Sequence, residues 1–156
     1  GVAAQTPEEC RGIEFSGLPI FGTSGNDNIP GTTGNDLIFA LEGSDRVTAF
    51  GGDDCIIGGE GDDLIIGAVG EDQLFGGGGN DNIRGENGED YIEGGEGNDT
   101  ITGGNSDDQI FGNGGNDSID GQNGNDNLSG DDGTDNLNGS AGTDTCSGEV
   151  EVNCEL

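Results

Sequence analysis

Gly58-Gly59-Glu60-Gly61-Asp62-Asp63-Leu64-Ile65-Ile66 decides how the chain is read, because the same grammar returns every nine residues on both sides of it. Asp27, Asp45, Asp63, Asp81, Asp99, Asp117 and Asp135 form one series, and Asp36, Asp54, Asp72, Asp90, Asp108, Asp126 and Asp144 the other, with no insertion between them. Two residues after each Asp comes an aliphatic side chain, from Ile29, Ile38 and Val47 through Ile65 and Ile83 to Leu137, and only Cys146 breaks that column. A merely solvated acidic tail has no physical reason to keep such spacing, so the period outweighs composition.

Composition alone points the other way. Of 156 residues, 28% are hydrophobic and 36 are Gly, and the formal charge is -30, values under which apolar burial would not offset chain entropy. The charge also excludes partners. With no Lys and only Arg11, Arg46 and Arg84, the chain cannot neutralise nucleic acid phosphates or an anionic membrane surface. No apolar run approaches the roughly 18 residues needed to span a bilayer, so direct membrane insertion is not expected. The natural partner of such a surface is a cation.

Cys10, Cys55, Cys146 and Cys154 form an even set in a chain with no His and no CxxC spacing, which disfavours zinc and favours disulfides. Paired thiols imply an oxidising compartment, so an extracellular location, secreted or at the cell surface, is expected. Gly1 is expected to begin a processed chain.

Three segments follow. Residues 1–21 lack the repeat but concentrate Ile13, Phe15, Leu18, Ile20 and Phe21, as an N-terminal cap over the open apolar end of a stack would. Residues 22–147 are all repeat, and 148–156 form a C-terminal cap closed by a disulfide. Each nine-residue unit divides into a six-residue Gly-rich turn and a three-residue strand whose middle aliphatic faces inward. Such strands cannot stand alone and must stack on those of other units, about 4.8 Å apart.

The units resemble the RTX (repeats-in-toxin) nonapeptide family of secreted, hemolysin-type calcium-binding proteins, whose pattern is G-G-x-G-x-D-x-U-x with U a large aliphatic. Gly76-Gly77-Gly78-Gly79-Asn80-Asp81-Asn82-Ile83-Arg84 and Gly94-Gly95-Glu96-Gly97-Asn98-Asp99-Thr100-Ile101-Thr102 match at every defined position. The resemblance implies an all-β fold, a parallel β-roll or right-handed β-solenoid of about seven two-strand coils with calcium in the turns, roughly 34 Å long at the strand spacing. It further implies that the fourteen aspartates just named coordinate Ca2+ together with turn carbonyls, including those of Gly61, Gly79, Gly97 and Gly115. Six gaps per edge give roughly twelve ions at the usual oxygen-rich coordination, carrying about +24 against the formal charge of -30. Departures are local: Ala40-Leu41 and Ala49-Phe50 replace leading glycines, Thr32 and Ala68 a second one, and Ser106 a fourth.

One outer face carries an apolar stripe. Phe39, Ile57, Phe75 and Phe111 recur on it with Leu37, Cys55 and Tyr91 beside them. A Cys10 to Cys55 bridge would lay the N-terminal segment over Leu37, Phe39 and Ile57, leaving Phe75, Tyr91 and Phe111 as an interface, while Cys146 with Cys154 would seal the other end. Peptide mapping that joined Cys10 to Cys154 would overturn this pairing. An enzyme is not expected, since the carboxylates belong to repeated turns and no unique cleft gathers them. The expectation is an extracellular calcium-binding structural protein whose folding depends on Ca2+ and which self-associates as a homo-oligomer or filament, in a fibre or surface layer. The alternatives are a calcium-dependent carbohydrate-binding or adhesion module, which the acidic surface suits badly unless calcium bridges, and ice binding. The latter requires regular ranks, whereas the third turn position runs Ser24, Glu42, Glu60, Gly78, Glu96, Gly114, Asp132.

Overall fold

An aliphatic side chain every nine residues, with polar neighbours on either side, can be buried only if alternate units stack in register. The computed structural model, which describes residues 9–148 and 150–154, shows that arrangement. Its strands are β1 (Ile20–Phe21), β2 (Asn28–Pro30), β3 (Leu37–Glu42), β4 (Arg46–Thr48), β5 (Cys55–Glu60), β6 (Leu64–Val69), β7 (Gln73–Gly78) and β8 (Asn82–Asn87). They continue as β9 (Tyr91–Glu96), β10 (Thr100–Asn105), β11 (Gln109–Gly114), β12 (Ser118–Asn123), β13 (Asn127–Ser129), β14 (Asn136–Asn138), β15 (Thr145–Ser147) and β16 (Val150–Val152). No helix occurs among the described residues. Odd strands form one eight-stranded sheet and even strands the other. Every pair of neighbours is parallel, and in the repeat each residue pairs with the one 18 positions on, as Ile56 with Leu74 and Ile65 with Ile83. The molecule is therefore a β-solenoid of about seven coils, each coil made of two nonapeptides.

The strands are longer than their apolar pattern suggests. A three-residue strand followed by a six-residue turn holds only near the ends of the roll; β3 and β5 to β12 run for six residues. The ladder continues through the glycines, with Gly59 opposite Gly77 and Glu60 opposite Gly78, so the turn proper shrinks to three residues such as Gly61-Asp62-Asp63. Parallel hydrogen bonding between backbones asks nothing of the side chains, so Gly can extend a ladder once its neighbours are in place.

The core is one file of side chains between the sheets. Ile29, Ile38, Val47, Ile56 and their successors to Leu137 are buried, with Ala40 and Ala49 filling in where two leading glycines are replaced. The ladder begins before the first nonapeptide: Ile20 pairs with Ile38 and packs on this file.

A second cluster lies outside the odd sheet. Cys10, Leu37, Cys55 and Phe75 are buried together, with Ile13, Phe15, Phe39, Ile57 and Tyr91 packed against them. The Cys10–Cys55 disulfide pins this segment across a sequence separation of 45, and Cys146–Cys154 closes the far end. Gln73 reinforces the seam: its Oε1 accepts from Arg11 N at 3.0 Å, and its Nε2 donates to Arg11 O at 2.6 Å. A C10S/C55S double variant is expected to lose about 4 kcal/mol of stability by the loop-closure relation, read by urea unfolding in millimolar calcium.

Candidate calcium ladders

The turn aspartates project inward at the two edges where the sheets meet. All but Asp27 are buried among the fourteen. Their Oδ1 atoms form a regular ladder. Asp63 N donates to Asp81 Oδ1 at 2.8 Å, Asp81 N to Asp99 Oδ1 at 2.7 Å, and Asp99 N to Asp117 Oδ1 at 2.8 Å. The other edge repeats this from Asp36 N to Asp54 Oδ1 at 2.7 Å through to Asp126 N and Asp144 Oδ1 at 2.9 Å. Each carboxylate thus reaches back to the coil before it.

The second oxygen has a different fate. In all twelve aspartates from Asp45 to Asp144, Oδ2 is buried and meets no hydrogen-bond donor. A buried anionic oxygen without a partner is strongly unfavourable, so twelve in two rows demand a counter-charge. The surroundings supply oxygen, not hydrogen. A Cβ placed on Gly58 would sit 2.6 Å from Asp63 Oδ2 and 2.5 Å from the Gly76 carbonyl oxygen, so these two acceptors converge on a space that only Gly leaves open. The carbonyls of Gly61, Gly79, Gly97 and Gly115 point into the gaps before the following coils, where a Cβ on Gly79, Gly97, Gly115 or Gly133 would overlap them. Among the described residues no cluster of three His, Cys, Asp or Glu side chains forms. An ion in these turns would therefore draw most of its six to eight oxygens from the main chain, with one carboxylate row supplying charge, which suits a hard cation such as calcium.

The electrostatics agree. Burial pushes the Asp90 carboxyl up to about 8, those of Asp54, Asp81 and Asp108 to about 7, and those of Asp63, Asp72, Asp99 and Asp126 to about 6. Asp117 moves the same way for the same reason. The backbone N–H from the preceding coil pulls each of these carboxyls down, and neighbouring acidic residues push it further up. Without a cation, Asp90 and to a lesser degree Asp54, Asp81 and Asp108 hold protons near neutral pH.

A second ladder escaped the sequence reading. Asp62 Oδ1 accepts from Asn80 N at 2.8 Å, Asn80 Oδ1 from Asn98 N at 2.7 Å, Asn98 Oδ1 from Asn116 N at 2.7 Å, and Asn116 Oδ1 from Thr134 N at 2.9 Å. Asn35, Asp53, Asp107 and Asn125 do the same on the other edge. Here the acceptor lies in the earlier coil, opposite to the aspartate ladder, so the two rows bind each turn to both neighbours. The signal was present: Asn or Asp precedes most of the ladder aspartates, as in Asn80-Asp81 and Asp62-Asp63.

The apolar stripe is shorter than expected. Phe75 is only 8% exposed beneath the N-terminal segment, whereas Tyr91 and Phe111 are half-buried with ring centroids 5.5 Å apart. Tyr91 donates its hydroxyl to Glu93 Oε1 at 2.5 Å.

Comparison with known families matches the RTX calcium-binding nonapeptide repeat over residues 21–54, 30–65, 48–83, 66–101, 84–119 and 120–149. The search among curated proteins returned no match. The matched spans carry both aspartate ladders and leave only the two termini outside, so this chain belongs to the family of RTX calcium-binding repeat proteins.

Proposed function

We propose that this protein is an extracellular structural protein whose β-roll completes its fold at neutral pH when Ca2+ fills its turns, and that the folded rod associates with further copies into a fibre or layer. The observation that carries the calcium dependence is the double row of buried, unpartnered Oδ2 atoms from Asp45 to Asp144. The ligands are the ladder aspartates from Asp45 to Asp144 and the carbonyls of Gly61, Gly79, Gly97 and Gly115; roughly twelve ions fit one per gap at ordinary calcium coordination. An extracellular site is supported by the two disulfides, and millimolar calcium outside cells would drive folding there. Association is supported by Leu18, 90% exposed, and Phe21, 56% exposed on the edge strand β1.

At about pH 8, far-UV circular dichroism is expected to show abundant β signal in millimolar calcium and little in chelator. A spectrum indifferent to calcium would refute the reading. Electron microscopy under the same two conditions tests association, and dispersed rods in calcium would reduce the function to that of a monomeric calcium binder.

A further inference from the structure

The fourteen ladder aspartates are not equivalent. Asp27 and Asp36 have their second oxygen satisfied. Thr23 donates its backbone N–H to Asp27 Oδ2 at 2.6 Å and its hydroxyl at 2.9 Å. Thr32 N donates to Asp36 Oδ2 at 2.6 Å, and its hydroxyl lies 3.0 Å from both carboxylate oxygens. Each Thr Oγ1 also accepts from the amide two residues on, that of Gly25 or Gly34, at 3.1 Å.

The backbone explains the difference. At the same turn position later in the chain, Leu41, Phe50, Ala68 and Glu86 have φ between 76° and 85°, and Gly59, Gly77 and Gly95 have φ near 107°. Thr23 and Thr32 keep an ordinary negative φ. Changing the sign of φ reorients the peptide group, and in these two turns the amide faces the carboxylate. The hydroxyl completes a local turn of a kind Ser and Thr commonly make.

The N-terminal segment adds further contacts here that need no ion. The Cys10–Cys55 disulfide and its buried cluster tie that segment to the coils that follow, at Leu37, Cys55 and Phe75. Ser16 N donates to Asn35 O at 2.8 Å, Asn35 Nδ2 donates to Glu14 O at 3.1 Å, and β1 adds a parallel partner to β3.

We propose that the first coil, from Ile20 to Asp36, is a calcium-independent template closed by Thr23 and Thr32, and that calcium-driven folding adds coils to it from Asp45 and Asp54 toward the C-terminus. This rests on the calcium reading above. In a stack where each unit touches only its neighbours, the first coil is the costly one, because it orders its chain with no ladder to bond to. A coil held by its own hydrogen bonds and by those of the N-terminal segment removes that cost and leaves its free sheet edges for the next strands. On this assignment Asp27 and Asp36, which the repeat pattern places in the calcium rows, are hydrogen-bonded turn residues.

The test is hydrogen–deuterium exchange read by mass spectrometry on the oxidised full-length protein in chelator. Protection is expected in peptides between residues 20 and 36 while those from 76 to 140 exchange fully, and calcium should extend protection toward the C-terminus. A T23V/T32V variant is expected to lose the residual protection and to need several-fold more calcium for half-folding, with the number of ions bound at saturation unchanged. Uniform exchange along the wild-type chain in chelator would overturn the template, as would a drop in bound ions in the variant. A wild-type protein that binds no calcium, yet keeps N-terminal protection, would instead refute the calcium reading and leave the template standing.

Discussion

In chelator, the protein is expected to hold more β structure at about pH 5 than at about pH 8, and in limiting calcium the order is expected to reverse. The first half follows from the raised carboxyls. Their ordinary value is 3.8, whereas in the roll they lie between about 6 and about 8. Between these limits the folded chain holds protons that the unfolded chain has released, so stability falls as pH rises through that window. The metal-free roll is thus favoured below the window and lost across it. The second half follows because calcium and protons compete for the same Oδ2 atoms. Acidifying from about pH 8 to about 6 should raise the calcium concentration needed for folding. The sequence pI of about 4.1 makes pH 5 a better acid point than pH 4, since a chain near zero net charge precipitates. Circular dichroism over pH with and without calcium reads both effects. A metal-free signal that is flat from pH 5 to 8 would show that the aspartates are not buried as described.

The second large effect is expected at Gly97. Its φ is 124°, outside the region that residues with a side chain adopt, and a Cβ there would overlap the carbonyl oxygen of Gly79 in the coil before. Neither strain can relax without parting two coils, because Gly97 N is bonded at 2.8 Å to Gly114 O on the other side. Gly97→Ala is therefore expected to cost more than about 4 kcal/mol, the upper end for single substitutions, whereas the exposed Thr100→Ala should stay within about 0.5 kcal/mol. Ser106 offers the converse. It occupies the same turn position with φ 92°, so Ser106→Gly should raise the midpoint of urea unfolding in calcium. A Gly97→Ala protein with wild-type stability would mean that the coils are not stacked as closely as their carbonyls imply.

These effects concern residues whose place was legible to different degrees. The spacing of Asp63, Asp81 and Asp99 by 18 is enough to put them in one row, because a parallel ladder between two-unit coils carries each residue onto the one 18 positions on. The inward column from Ile29 to Leu137 follows in the same way from alternation along a strand. The Asn80 and Asn98 ladder shared that legible spacing and was still missed, since Asn in a turn is ordinary and only a three-dimensional neighbour reveals what it bonds.

The repeat unit, the two parallel sheets, the rows of aspartate and the family they belong to are all written in the nine-residue period, because one period encodes a local conformation and its stacking together. Which members of a row are equivalent depends on contacts made in the folded chain. Thr23 and Thr32 satisfy Asp27 and Asp36 through a backbone rotation that no residue count reveals. Phe75 is buried because Cys10 is tied to Cys55 and Arg11 to Gln73, 62 residues away. The strands extend through glycines because their neighbours were already paired. Periodicity reports the average environment of a position, whereas burial and hydrogen bonding depend on the particular chain that lies against it.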